Sequence, residues 1–238
     1  MSENTSPVIK GILFDKDGTL LDYAKSWMPL NRKASLMAAA GDETLAARIL
    51  EATGYDAVQD RVLPGSMLAA SSNGEIIAKW CEFLPGVAYE DLLQRVEKIF
   101  QEDGETAAVA VTDLSVLFDR LKARGLKLGV ATSDSEQGAR RSLKRFGAVE
   151  KLDFIAGYDS GHGLKPTAGM VQGFCAAMSL DPDQVMVVGD NLHDMEMGHN
   201  AGAGLKVGVL TGTSERDVLA TLADHVLGSI EELETILT

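Results

Sequence analysis

The sequence predicts an α/β protein: a parallel sheet flanked by helices, with a small all-helical domain inserted after the first strand. Three observations carry this expectation. An apolar, partly β-branched stretch, "VIKGILF" (Val8–Phe14), stands near the N-terminus and reads as a buried strand. From about Tyr23 to Thr112 helical periodicity dominates and strand signals vanish. Beyond Thr112 short apolar runs alternate with helical segments, the pattern of a parallel sheet crossed over by helices. The expected division is a core of residues 1–22 and 113–238 and a helical insert of residues 23–112.

Each element has its own signal. In the insert, "KSWMPLNRKASLMAAAG" reads as a helix stopped by Gly41, and "DETLAARILEATG" as one with Asp42 at its N-cap and Gly54 as its stop. After an irregular stretch, Tyr55–Ser72, come a helix from Asn73 and another from about Tyr89. In the second part, "DLSVLFDRLKARG" is a helix closed by Gly125, "LKLGVA" a strand, "SEQGARRSLKRFG" a helix closed by Gly147, and "FIAG" a short strand. "TAGMVQGFCAAMSL", "VMVVG", "HDMEMGHNAG" and "LKVGVL" continue the alternation.

Composition narrows the function. The chain has 238 residues, 45% apolar and 24% charged, with a formal net charge of −13. That charge argues against nucleic acid, whose phosphates demand Lys/Arg surfaces, and against anionic membrane surfaces. No apolar run is long enough to span a bilayer, and "MSENTSPVIK" lacks the basic and apolar regions of a signal peptide. The two cysteines, Cys81 and Cys175, lie in apolar helical stretches without zinc spacing. Reduced thiols in the cytoplasm are therefore expected.

The chemistry gathers where strands end. Ligands bind beyond the C-terminal ends of parallel strands. Asp15 and Asp17 follow the first strand; Thr132, Ser133 and Asp134 follow "LKLGVA"; Asp190 and Asp194 follow "VMVVG"; Lys165 sits in the loop before the "TAGMV" helix. Two carboxylates two residues apart fit a solvated turn, or else need a cation between them. Asp15, Asp17, Asp190 and Asp194 together suit a hard divalent ion such as Mg²⁺, while the Thr132 hydroxyl and the Lys165 charge suit a phosphoryl group. One carboxylate, Asp15, can act as a covalent nucleophile, and Asp17 as general acid and then base. Gly18 lets the chain turn sharply after the pair, and Thr19 is expected to hydrogen-bond within that turn.

With these residues in this order the chain resembles the haloacid dehalogenase-like (HAD) hydrolase superfamily. "DKDGTL", "GVATSD", "GLKP" and "VVGDNLHD" match its four motifs. The resemblance implies a Rossmann-like core with a helical cap, similar to phosphoglycolate phosphatases and β-phosphoglucomutases. It implies Asp15 as nucleophile, Asp17 as acid/base, Thr132 and Ser133 with Lys165 as the phosphate-binding set, and Asp15, Asp17, Asp190 and Asp194 as the Mg²⁺ site. An aspartate at position 17 favours phosphate esters, since the family's dehalogenases and phosphonatases lack it. The expected activity is hydrolysis of a small phosphorylated metabolite, phosphoglycolate first, through an aspartyl-phosphate; a sugar-phosphate mutase is the alternative. Position 16 departs from the family, with Lys where an apolar residue is common. Trp27, Arg32, Lys33 and Arg61 are the insert's candidate substrate contacts, and His162 a further one beside Lys165.

Overall fold

Gly11–Phe14 forms β1, and all four residues are buried, as a strand covered on both faces requires. The strand begins later than the apolar run suggests. Val8 is exposed, although Lys10 already bonds both neighbouring segments, donating to Gln184 O at 2.8 Å and accepting from Lys127 N–H at 2.9 Å. This computed structural model describes residues 8–237, apart from the side chains of Ala70 and Glu105. Residues 1–7, most of the stretch expected to lack signal-peptide character, lie outside the described residues.

The chain divides into two compact units, one running to Asp22 and resuming at Ala110, the other spanning Tyr23–Val109. The second unit holds α1 (Tyr23–Ala38), α2 (Glu43–Ala52), β2 (Tyr55–Asp56), β3 (Arg61–Val62), α3 (Met67–Ala70), α4 (Asn73–Cys81) and α5 (Tyr89–Ala107). The predicted stops act as such: Gly41 and Gly54 both take the positive φ that favours glycine. Asp42 caps α2 by accepting from Leu45 N–H at 3.0 Å. Ser72 and Glu75 form a reciprocal capping box on α4.

The stretch expected to be irregular carries the antiparallel ribbon β2–β3, with Tyr55 opposite Val62 and Asp56 opposite Arg61. Two residues per strand are too few for an alternating pattern to show. What makes the hairpin is its turn: Asp56 Oδ1 accepts from Val58 and Gln59 N–H at 2.9 and 3.1 Å.

Trp80, Ile77, Ile49 and Leu92 are fully buried at the centre of this unit, with Trp80 Nε1 donating to Thr53 Oγ1 at 3.2 Å. Trp80→Ala is expected to destabilise the protein by about 3–5 kcal/mol, the range for deleting a buried aromatic. Urea unfolding followed by circular dichroism measures it, and a loss under about 1 kcal/mol would mean that the surroundings close over the gap.

The first unit continues with α6 (Leu114–Ala123), β4 (Lys127–Ala131), α7 (Glu136–Lys144), β5 (Phe154–Ala156), α8 (Gly169–Met178), β6 (Val185–Gly189), α9 (Leu192–Ala201), β7 (Leu205–Val209), α10 (Arg216–Leu219) and β8 (His225–Leu227). The six longer-range strands form one sheet in the order β5-β4-β1-β6-β7-β8, and every pair is parallel. Leu13, Ala131, Val187 and Phe174 share one apolar core with α8, and Phe14 meets Phe118 of α6 at 5.7 Å between ring centroids.

β1 is the point from which the chain builds outward in both directions. Phe14 pairs with Val130 on one side and Val188 on the other. The residues leaving β1, β4 and β6 therefore emerge together, at the switch point where such sheets bind ligands. Among the described residues no helix is long and apolar enough to cross a membrane.

Candidate active site

Asp15 directly continues β1. Its N–H donates to Val188 O at 2.7 Å, which extends the ladder by one step and fixes the carboxylate at the sheet edge. Oδ1 of Asp15 accepts from Lys165 Nζ at 2.6 Å, and the same ammonium reaches Asp194 Oδ1 at 2.5 Å. Both carboxylates and the lysine are nearly closed to solvent. The loop that brings Lys165 has a cis Lys165–Pro166 peptide and is tied to α9 by Asn200 Nδ2, which donates to Pro166 O at 2.9 Å.

Asp194 does two things at once. It is the third residue of α9, and its Oδ2 accepts from Asn191 N–H at 3.1 Å. That capping bond satisfies a donor the helix leaves open and points Oδ1 at Lys165. Asp190, just after β6, is held by Thr213 N–H, which donates to Oδ2 at 2.9 Å. Its carboxylate also lies against two glycines: a Cβ at Gly212 would come within 1.8 Å of it, and one at Gly18 within 2.6 Å. Gly18 is needed twice over, since its φ is +91°. Thr211 Oγ1 donates to Gly18 O at 2.7 Å, so the loop after β7 clamps both the turn and Asp190. Sequence reasoning overlooked this loop. Its signal is the placement of Thr211, Gly212 and Thr213 directly after the strand "LKVGVL", the position that Asp15, Thr132 and Asp190 hold after their own strands.

The turn after Asp15 is closed by backbone bonds, with Lys16 O accepting from Leu20 and Leu21 N–H at 3.0 and 2.9 Å and Gly18 N–H donating to Leu21 O at 2.7 Å. The Thr19 hydroxyl does not take part, contrary to expectation; it is buried without a hydrogen-bond partner, because the backbone has already satisfied the turn. Thr132 is buried and its hydroxyl accepts from Asp134 N–H at 3.1 Å, which leaves the hydroxyl proton to be given elsewhere. Ser133 is exposed.

Three of the four predicted metal-site carboxylates converge. Oxygens of Asp15, Asp190 and Asp194 all lie within 4.8 Å of one another, and all three residues are buried. Asp17 stands outside this group: its Oδ2 pairs with Lys16 Nζ at 2.6 Å. Lys16, the departure from the family pattern, is fully buried and also pairs with Asp134 Oδ2 at 3.3 Å. His162 packs on the Phe154 ring at 5.6 Å and against Gly173, which is a packing role between β5 and α8. In the insert, Trp27 stacks on Phe100 at 5.8 Å, Arg32 binds Tyr55 and Asp60, Lys33 pairs with Asp103 at 2.5 Å, and Arg61 lies exposed in β3.

The charges are out of balance. Burial pushes the Asp15 carboxyl up to about 6; the Lys165 ammonium opposes this and Asp194 adds to it. Burial, then repulsion from Asp15 and Asp194, raises Asp190 well above the ordinary carboxylate range. Asp17 is raised by burial and by Asp15 against the pull of Lys16, though solvent moderates this because 24% of its side chain stays open. Burial alone would lower Lys165, but Asp15 and Asp194 outweigh it and raise it. Three buried carboxylates share one ammonium, and all offer the hard oxygen donors that Mg²⁺ takes. A divalent cation would relieve the repulsion and burial cost that raise Asp15 and Asp190, so the residues fit such an ion.

A family model for haloacid dehalogenase-like hydrolases matches residues 12–209, which run from the second residue of β1 to the end of β7 and include Asp15, Lys165, Asp190 and Asp194. An N-acetylmuramic acid 6-phosphate phosphatase from Pseudomonas aeruginosa is 26% identical over 194 residues, covering 82% of this chain and 79% of that protein. A phosphoglycolate phosphatase from Psychrobacter arcticus is 24% identical over 228 residues, covering 91% and 95%. In fold, the crystal structure of a HAD-superfamily hydrolase from Geobacter sulfurreducens superposes with a TM-score of 0.70 at 17% identity, covering all of both chains. The family match runs over most of the sequence and contains the clustered aspartates and Lys165, and this chain belongs to the haloacid dehalogenase-like hydrolases.

Proposed function

We propose that this chain, a phosphoric monoester hydrolase by its family and its relatives, cleaves a small phosphorylated metabolite with Mg²⁺ and through an aspartyl-phosphate on Asp15. The observation that carries this reading is the contact of Lys165 with both Asp15 and Asp194 at the switch point of the sheet. Asp15, Asp190 and Asp194 would hold the ion, which when bound supplies positive charge to the phosphoryl oxygens and favours the ionised form of Asp15.

The protein's own groups do the rest. Lys165 leaves its carboxylate partners in part to meet the phosphoryl group, joined by the Thr132 hydroxyl and by Ser133. An Asp15 oxygen attacks phosphorus, and the bond from phosphorus to the leaving oxygen breaks. Asp17 gives that oxygen its proton. The Asp17 carboxylate then takes a proton from water as the water attacks the phosphorus of the aspartyl-phosphate, which frees inorganic phosphate and restores both aspartates. The insert serves as the cap that selects the leaving group. Phosphoglycolate and N-acetylmuramic acid 6-phosphate, the substrates for which relatives are named, are the first compounds to try. The unbridged thiols of Cys81 and Cys175 suit a reducing cytoplasm.

Phosphate release from a panel of phosphomonoesters tests the reading. Release should require Mg²⁺, stop in EDTA and return with added Mg²⁺; full activity in chelator would refute the metal site. A burst of protein phosphorylation without sustained release would point to a mutase instead.

The raised carboxyls lead to a second expectation. Asp15 has a folded-state pKa of about 6 against an ordinary 3.8, so the metal-free native state binds the proton more tightly than the unfolded chain. Its contribution to stability is favourable at acid pH and is lost as pH rises through that interval. Mg²⁺ competes with these protons, so its increase in Tm should be larger near pH 7.5 than near pH 5. An equal increase at both would show that the ion binds elsewhere.

A further inference from the structure

Lys16 has no exposed surface. Burying an ammonium costs several kcal/mol unless it is well paired, and an apolar side chain of the same length would avoid that cost. Its position is tightly defined. Its carbonyl closes the turn through Leu20 and Leu21, and its Nζ lies 2.6 Å from Asp17 Oδ2 and 3.3 Å from Asp134 Oδ2. Asp134 is itself fixed, its Oδ1 accepting from Ser135 N–H at 2.6 Å and its N–H donating to the Thr132 hydroxyl at 3.1 Å. A continuous chain of polar contacts thus runs from Thr132 at the end of β4, through Asp134 and Lys16, to Asp17.

We propose that Lys16, anchored by Asp134, is a positioning residue that holds the Asp17 carboxyl group in the orientation from which, in its protonated form, it gives the leaving group its proton. The inference rests on the acid/base reading of Asp17. An acid must lie within hydrogen-bond reach of the oxygen it serves. An aspartate side chain has more than one rotamer open to it, and the buried ammonium held against Oδ2 of Asp17 favours one of them. Neither Lys16 nor Asp134 needs to touch substrate for this role.

The test is the single-turnover rate of aspartyl-phosphate formation with p-nitrophenyl phosphate and with phosphoglycolate, or another alkyl phosphate that the wild-type enzyme turns over. Nitrophenolate leaves with little help, whereas an alkoxide needs the proton. Lys16→Met fills the same space, and the carboxylates it strips of a partner keep 24% and 34% side-chain exposure, so neither is left as a dry, unpaired charge. It should slow the alkyl phosphate by about tenfold or more and p-nitrophenyl phosphate by less than about threefold. Asp134→Asn, which keeps an acceptor for Ser135 N–H, should show the same selectivity to a smaller degree, and it carries the test should Lys16→Met fail to fold.

In an Asp17→Asn background, Lys16→Met should cost less than about twofold with either substrate, because there is no acid left to position. Equal slowing of both substrates, or an undiminished loss in the Asp17→Asn background, would overturn the positioning role. If Asp17→Asn itself fails to discriminate between the two leaving groups, the acid/base reading falls and takes this role with it. If Asp17→Asn discriminates but neither Lys16→Met nor Asp134→Asn does, only the positioning role falls.

Discussion

Asp15→Asn is expected to lower kcat by about 10⁴-fold or more, the scale of losing a covalent nucleophile, without lowering the stability of the metal-free protein. The carboxamide keeps the shape of the side chain and an oxygen to accept from Lys165, but it cannot attack phosphorus. Stability should hold or rise for an electrostatic reason. Burial and Asp194 push the Asp15 carboxyl up to about 6, and Asp15 in turn raises Asp190. Above that pH the native state carries an ionised Asp15 that it would rather see protonated. Removing that charge relieves both groups. A variant that melts at or above the wild-type Tm in EDTA yet releases no phosphate would match this account. Retention of more than about a tenth of wild-type kcat would remove Asp15 from the nucleophile's role.

Lys165→Met is expected to reduce kcat by about 10²–10³-fold, the usual loss when one charged group is withdrawn from a transferring phosphoryl group. Its effect on stability should be opposite in sign to that of Asp15→Asn. Lys165 is the ammonium between Asp15 and Asp194, and it holds Asp15 below where burial would send it. Without it the folded-state pKa of Asp15 rises further above the unfolded value. The loss of stability with rising pH then extends toward neutrality. Metal-free Lys165→Met should therefore melt below wild type near pH 7.5, and Mg²⁺ should restore more of its Tm than it adds to wild type. Turnover and the Mg²⁺-dependent Tm increase falling together would mean that Lys165 builds the ion site rather than serving the phosphoryl group.

Most of the core was legible because strand, strand end and chemistry coincide in the sequence. "GILF", "LKLGVA" and "VMVVG" are short buried runs, each followed at once by Asp or Thr, and the structure sets β1 between β4 and β6. Lys165 and Asp194 were legible as residues, but their joint contact with Asp15 depends on the capping bond that turns Asp194 and on the loop pinned by Asn200. No local pattern states either one.

The convergence of Asp15, Asp190 and Asp194 without Asp17 was not legible either. Period-two reasoning puts Asp15 and Asp17 on one side, but the chain leaves the strand at Lys16 and turns. The same turn makes Lys16 a buried partner of Asp17 rather than a surface charge. In the insert, β2–β3 escaped notice because its stability lies in the Asp56 turn and not in any alternation. β8 escaped because "HVL" is only three residues long.

The central claim is a covalent bond between Asp15 and the phosphoryl group. Mixing enzyme, Mg²⁺ and an excess of a turned-over phosphomonoester, quenching in acid within the first turnover, and reducing with borohydride would capture it, because borohydride reduces an acyl phosphate to an alcohol and leaves a free carboxylate intact. The account predicts that the peptide containing "FDKDGTL" then carries homoserine at position 15, in wild type and not in Asp15→Asn. Phosphate released at the normal rate with position 15 still aspartate, or homoserine found at Asp17, Asp190 or Asp194 instead, would contradict it.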